Sequence, residues 1–181
     1  MKRCRRNVTT LVVAAVAALI FPTAASAQAR PQDVQSVDGV ITALYESISG
    51  PMGAERDFER FRALFAPDGR LMPASAQAPS GYAAWTPEDY WERNAESLSR
   101  IGFNEVEIGR VTETFGRVTH VFSAYASFRH DQGDPDTAFS RGINSIQLLE
   151  HDGRLWILSI SWDSERPDNP IPDRYLRGAG G

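Results

Sequence analysis

The chain has 181 residues, with 19 basic and 23 acidic side chains and a formal net charge of −4. Four of the cations (Lys2, Arg3, Arg5, Arg6) lie at the extreme N-terminus, so the part from Gln28 onward carries 15 arginines against 23 carboxylates, a net charge of −8. Such a surface repels nucleic acid and anionic lipid, and with Cys4 the lone cysteine there is neither a disulfide nor a thiolate beyond it.

Residues 1–27 read as a secretory signal peptide: a basic start, an apolar run from Leu11 to Phe21, then the small-residue site Ala25-Ser26-Ala27. The run spans 11 residues, well short of the roughly 20 needed to cross a bilayer. Cleavage is expected near Ala27, giving a periplasmic or secreted chain with no membrane span. The chain from Gln28 onward is long enough for one domain with a real core. We expect that domain over 28–165, with a proline-rich C-terminal arm over 166–181.

Asp33 is positioned to cap a helix in which Val34, Val37, Val40, Ile41, Leu44 and Ile48 form one apolar stripe, stopped by Ser49-Gly50-Pro51. A shorter helix runs from Asp57 to Phe65, and Pro67-Asp68-Gly69 turns the chain. Leu71-Met72 is a short strand candidate, and Pro73 to Trp85 is a long loop of the kind that forms lids or binding loops. Thr86-Pro87-Glu88-Asp89 opens a third helix, with Thr86 as N-cap, and Gly102 closes it. Four long runs with period-two content come next: Phe103 to Phe115, Val118 to His130, Ala138 to Glu150 and Gly153 to Asp163. Short turns between them make successive strands antiparallel. Helices first and a meander afterwards give an α+β fold with helices on one sheet face.

If Asp152-Gly153 is a two-residue turn, His151 faces Arg154, Asn144 faces Ser161 and Gly142 faces Asp163. The loop 131–137 similarly sets residue 130 against 138. One face then carries His120, Phe122, Asn144, Ser159, Ser161 and Asp163; the other carries Tyr125, Arg141, Ile143, Trp156, Ile160 and Trp162. The second face would be a large exposed apolar patch in a monomer, which predicts a homodimer through the sheet unless the C-terminal arm covers part of it.

The run GINSIQLL-EHDG-RLWILSISWDSE and the capped helix TPEDYW-ERN resemble the NTF2-like superfamily in its SnoaL-like bacterial members, over about Val34 to Glu165. The resemblance implies an NTF2-like (cystatin-like) cone, with three N-terminal helices packed on a curved antiparallel sheet around a conical pocket. It also implies frequent dimerisation through the sheet. Members of the family include isomerases, dehydratases, epoxide hydrolases, polyketide cyclases and non-catalytic binding proteins, so fold does not choose the function.

Two residues are candidate catalytic groups. Asp163 is the candidate base, as in ketosteroid-isomerase-like members, or else an ion-pair partner of Arg166 or Arg141. His120 is a pocket acid or base of the scytalone-dehydratase kind, or else a core histidine hydrogen-bonded to backbone. Tyr90 and Asn94, four apart on one helix face, could meet Asn144, Ser159 and Ser161 over the sheet and make the polar patch of an aromatic pocket. His120 and His130 are ten residues apart on one strand, roughly 33 Å, so they cannot share a metal. No phosphate loop, dinucleotide fingerprint or nucleophile elbow is present, and no cofactor is expected. Arg141 reads onto the face opposite Asp163, which separates the groups an epoxide hydrolase needs together. The function expected is binding of a small, mostly apolar molecule, with cofactor-independent isomerase or dehydratase chemistry if it is an enzyme. The alternative is a non-catalytic dimeric accessory domain for a periplasmic protein partner.

Overall fold

The computed structural model describes residues 29–129 and 137–176. The expected leader, residues 1–27, lies outside them, as do His130 and most of the 131–137 loop. Helices α1 (Pro31–Val34), α2 (Val37–Ile48) and α3 (Phe58–Leu64) are followed by strand β1 (Phe65–Pro73) and helix α4 (Pro87–Ile101). Strands β2 (Phe103–Phe115), β3 (Val118–Arg129), β4 (Ser140–His151) and β5 (Arg154–Ser164) complete the sheet.

The first expected helix is two. Ser36 adopts extended backbone and its Oγ accepts from the Gly39 amide at 3.0 Å, so Ser36 rather than Asp33 caps α2. Gly39 permits the break, because a Cβ there would lie 2.2 Å from the Gln32 carbonyl oxygen of α1. Asp33 is buried instead and takes two N–H bonds from Arg60, at 2.8 and 2.9 Å. Helix α4 starts as its sequence dictates. The Thr86 hydroxyl accepts from the Asp89 amide at 3.1 Å, the Asp89 carboxylate accepts from the Thr86 amide at 3.0 Å, and Gly102 ends the helix at φ 63°.

The sheet order is β1-β5-β4-β3-β2, with β1 parallel to β5 and the remaining pairs antiparallel. Strand β1 is longer than the expected Leu71-Met72, and the segment after it folds back through bridges Ala74–Tyr82 and Leu71–Trp85. The Asp152-Gly153 turn has φ of 53° and 72°, and His151 faces Arg154 as its sequence requires.

Beyond that turn the register departs from expectation. A β-bulge at Leu158 shifts β5 by one residue, so Asn144 faces Trp162, Gly142 faces Ser164 and Asp163 faces Ile143. Across β3 and β4, Ser123 faces Asn144 and Ala124 faces Ile143, again one residue from the expected pairing. A one-residue slip exchanges faces. Ile160, Trp162 and Tyr125 therefore turn towards the helices, while Phe122, Ser145, Ser161 and Asp163 line a groove on the other side. Arg141 and Asp163 share that outer side, correcting their expected separation. Their partners differ, however: Glu165 at 3.4 Å for Arg141 and Arg166 at 2.7 Å for Asp163.

The core lies between the helices and the inner sheet face. Val40, Ile41 and Leu44 of α2 and Phe61 and Leu64 of α3 meet Val121, Ile146, Leu148 and Ile157 of the sheet. The C-terminal residues cross the outer face. Tyr175 stacks on Phe122 with centroids 5.1 Å apart, and Ile171 is buried. At Gly109 a Cβ would lie 2.3 Å from the Tyr175 carbonyl oxygen, so a side chain on β2 there would lift this segment off.

Candidate functional site

The helices close one end of the inner sheet face but leave a cavity of about 370 Å³ at the other. Its walls include Tyr45 and Leu44 of α2, Phe61 of α3, Tyr90, Asn94 and Leu98 of α4, and Trp85 before α4. Its floor is Phe103 and Glu105 of β2, Tyr125 and Ser127 of β3, Asn144 of β4, and Ile160, Trp162 and Ser164 of β5. Phe61 stacks on Tyr90 at 5.4 Å, and Tyr90 meets Trp162 edge-on at 6.3 Å, so one wall is a continuous aromatic surface.

Glu105 is the ionisable centre of this cavity. Strand period places Phe103, Glu105 and Glu107 on one side of β2, facing the helices. The Ser127 hydroxyl, paired across from it on β3, donates to Glu105 Oε2 at 2.7 Å. Glu105 keeps part of its surface accessible where it fronts the cavity, yet protein surrounds the carboxylate closely enough for burial to push its pKa up to about 7. Hydrogen bonds from Ser127 and Asn144 act against that rise by favouring the ionised form.

A second carboxylate anchors a chain of hydroxyls beside it. The Ser123 hydroxyl donates to Glu107 at 2.6 Å, which leaves Ser123 to accept from Tyr45 at 2.8 Å. Tyr45 in turn accepts from the Asn144 amide at 3.1 Å. Ser123 and Asn144 are buried polar groups, and this chain satisfies them. Burial also raises Glu107, against the pull of Ser123 and Arg110. Burial raises the pKa of Tyr45, Tyr90 and Tyr125, and the Glu105 charge adds to the rise in each. Glu105 shares the cavity lining with these tyrosines, which come from α2, α4 and β3.

Of the residues singled out from the sequence, Tyr90, Asn94 and Asn144 come together in this cavity. The Asn94 amide donates to the Tyr90 carbonyl at 2.7 Å, holding it within α4. Asp163, Ser161 and His120 do not join them. Asp163 and Ser161 line a separate outer groove of about 560 Å³ between the sheet and the C-terminal segment. Asp163 is half exposed and takes bonds from Arg166 at 2.7 and 3.1 Å, which hold its pKa below the usual carboxylate range. His120 Nε2 lies 3.0 Å from Ser145 Oγ, with its ring edge-on to Phe122. Ser159 pairs with Gln147 on that same outer side, half-buried. Among the described residues, no three of His, Cys, Asp and Glu gather as metal ligands would.

Glu105, Tyr45 and Ser127 do not stand out in the sequence. In FNEVEIG the carboxylates alternate with Val106 and Ile108, and a pattern argument turns the apolar pair inward and the carboxylates to water. The inverse holds because β3 offers Ser127 and Ser123 to receive them. Hydroxyls spaced along the neighbouring strand are the one sequence signal that pointed this way.

No family model matches the chain, and no curated protein does. Solved structures do. A cystatin-like protein of unknown function from Nostoc punctiforme superposes with a TM-score of 0.53 at 14% identity, covering 71% of this chain and 88% of that one. LinA gives a TM-score of 0.51 at 7% identity, covering 69% and 80%. A putative calcium/calmodulin-dependent kinase II association domain from Exiguobacterium sibiricum gives 0.50 at 12%, covering 72% and 88%. Among the described residues, four α-helices on a curved, mostly antiparallel five-stranded sheet make an α+β cone with the cystatin-like fold. Identities this low establish the fold alone. No helix among the described residues is long and apolar enough to cross a membrane.

Proposed function

We propose that the cone binds a small, mostly apolar organic molecule and that Glu105 is the group that exchanges a proton with it. The observation that carries this reading is a carboxylate on the cavity floor, held by Ser127, whose pKa near 7 suits it to serve as acid or base at neutral pH. The chemistry it supports is cofactor-independent proton transfer of the isomerase or dehydratase type. In this reading Glu105 takes the role expected of Asp163 and His120, and Tyr90, Asn94 and Asn144 orient the ligand.

The test is a thermal-shift screen of the chain from Gln28 against neutral apolar compounds. Stabilising compounds should lose their effect when Asn94→Trp fills the cavity, while the variant keeps its own cooperative melt. If no compound class raises the melting temperature, the cavity reading falls.

The non-catalytic accessory reading draws on a different observation. Phe115 is 91% exposed and Val118 48%, at the tip of the β2–β3 hairpin. Such apolar tips suit contact with another protein chain. We further propose export after cleavage near Ala27, and a homodimer over the part of the outer sheet face that the C-terminal segment leaves open, where Leu158 is 37% exposed. Mass spectrometry of the secreted chain's N-terminus tests the first. Light scattering behind size exclusion tests the second, a monomer at micromolar concentration being the adverse result.

A further inference from the structure

Buried carboxylates in proteins are paired with a cation or with several donors, because an isolated charge in an apolar site is costly. The structure follows that rule elsewhere. Asp33 takes Arg60, and Glu107 lies 3.4 Å from Arg110, which also pairs with Asp38. Arg56, an inward-reaching guanidinium near the helices, is spent on backbone carbonyls of residues 48, 50, 51, 54 and 98. Glu105 is different: among the described residues it has hydroxyl and amide neighbours but no cationic one, and no arginine, lysine or histidine of them lines its cavity. The groups that feel its charge are Tyr45, Tyr90 and Tyr125, one from each of three enclosing elements. Beyond them the wall continues through Phe61, Trp85 and Trp162.

A single carboxylate among aromatic rings, with no fixed positive charge, complements a particular ligand chemistry. Ring faces attract cations, and the attraction strengthens when both partners leave water. An anionic ligand would meet Glu105 without compensation, and a neutral one would leave the carboxylate unpaired. We infer that the cavity selects a small aryl or alkyl amine, bound as its ammonium ion, with the nitrogen donating to Glu105 and the hydrocarbon body against the Tyr90–Trp162 wall. This rests on the cavity being a ligand site, and it names the class of ligand.

The test uses three probes of one size and different charge: phenethylamine, 2-phenylethanol and 3-phenylpropanoate. Each is titrated calorimetrically at pH 8 into the chain from Gln28 and into its Glu105→Gln variant. The amine should bind about tenfold or more tightly than the alcohol, as a charge-assisted bond to a desolvated carboxylate allows, and the carboxylate should bind least. In Glu105→Gln the amine should fall to the level of the alcohol, and a cooperative thermal melt of the variant shows that it is folded. An alcohol that binds as well as the amine, or an amine preference that survives Glu105→Gln, overturns the inference and leaves the cavity reading standing. Failure of all three probes also overturns it; the cavity reading falls with it only if the neutral screen fails as well.

Discussion

The Ser127 hydroxyl points across the β2–β3 pair and donates to the Glu105 carboxylate at 2.7 Å. A strand neighbour thus stabilises the ionised form of a group whose surroundings oppose it. The balance leaves Glu105 with a pKa of about 7 against an ordinary 4.5.

That balance makes stability depend on pH. The folded chain holds its proton on Glu105 more tightly than the unfolded chain does. The folded state is therefore not penalised below pH 4.5, loses stability as pH rises from 4.5 to about 7, and levels off above that. The full difference is on the order of 3 kcal/mol at most. Glu105→Gln removes this dependence, so the variant should be more stable than the parent at pH 8 relative to the same comparison at pH 4. Urea unfolding at the two pH values measures it. A Glu105 contribution with the opposite sign would mean that the carboxylate is ion-paired, and no contribution would mean that it is solvated.

Tyr45 joins α2 to the sheet through its hydroxyl, which gives its hydrogen to Ser123 and accepts from Asn144. Tyr45→Phe keeps the ring and removes both bonds. Ser123 still has Glu107, but one Asn144 N–H loses its acceptor in a buried place. Stability should fall by about 1–2 kcal/mol, read from the urea midpoint. No change would show that water replaces the hydroxyl.

The Asp33–Arg60 pair ties α1 to α3, with only 5% and 15% of the side-chain surfaces exposed. Asp33→Ala leaves the guanidinium with Glu46, whose side chain is 58% exposed and therefore a poorer partner. The expected loss is about 3 kcal/mol. Asp33→Ala with Arg60→Met should recover much of it, which a double-mutant cycle would establish.

Gly109 provides the space into which the Tyr175 and Leu176 backbone packs. Gly109→Ala should displace this C-terminal segment without unfolding the sheet. Limited trypsin treatment should cleave after Arg174 faster in the variant, with little change in melting temperature. Equal cleavage rates would show that the strand yields instead.

The sequence by itself determined the elements and their class. Apolar spacing of three and four marks α2, Thr86 to Asp89 marks the start of α4, and Asp152-Gly153 marks the last hairpin. These signals are local: each depends on bonds within a turn of helix or between adjacent residues. The same logic brought Tyr90, Asn94 and Asn144 to attention, since a helix face and a strand run place them.

Only the tertiary structure decided which side of the sheet became the site. The bulge at Leu158 and the offset of one residue between β3 and β4 turned Trp162 inward and left Asp163 outside. A strand with apolar residues on both sides satisfies its own pattern in either register, so the choice passes to packing against the helices. Glu105 faces inward for the same reason. Val106 and Ile108 compete for that side by hydrophobicity, and the hydroxyls of Ser127 and Ser123, brought alongside by the strand pairing, secure it for the carboxylates. Those partners lie 22 and 16 residues away along the chain, beyond the reach of any local pattern.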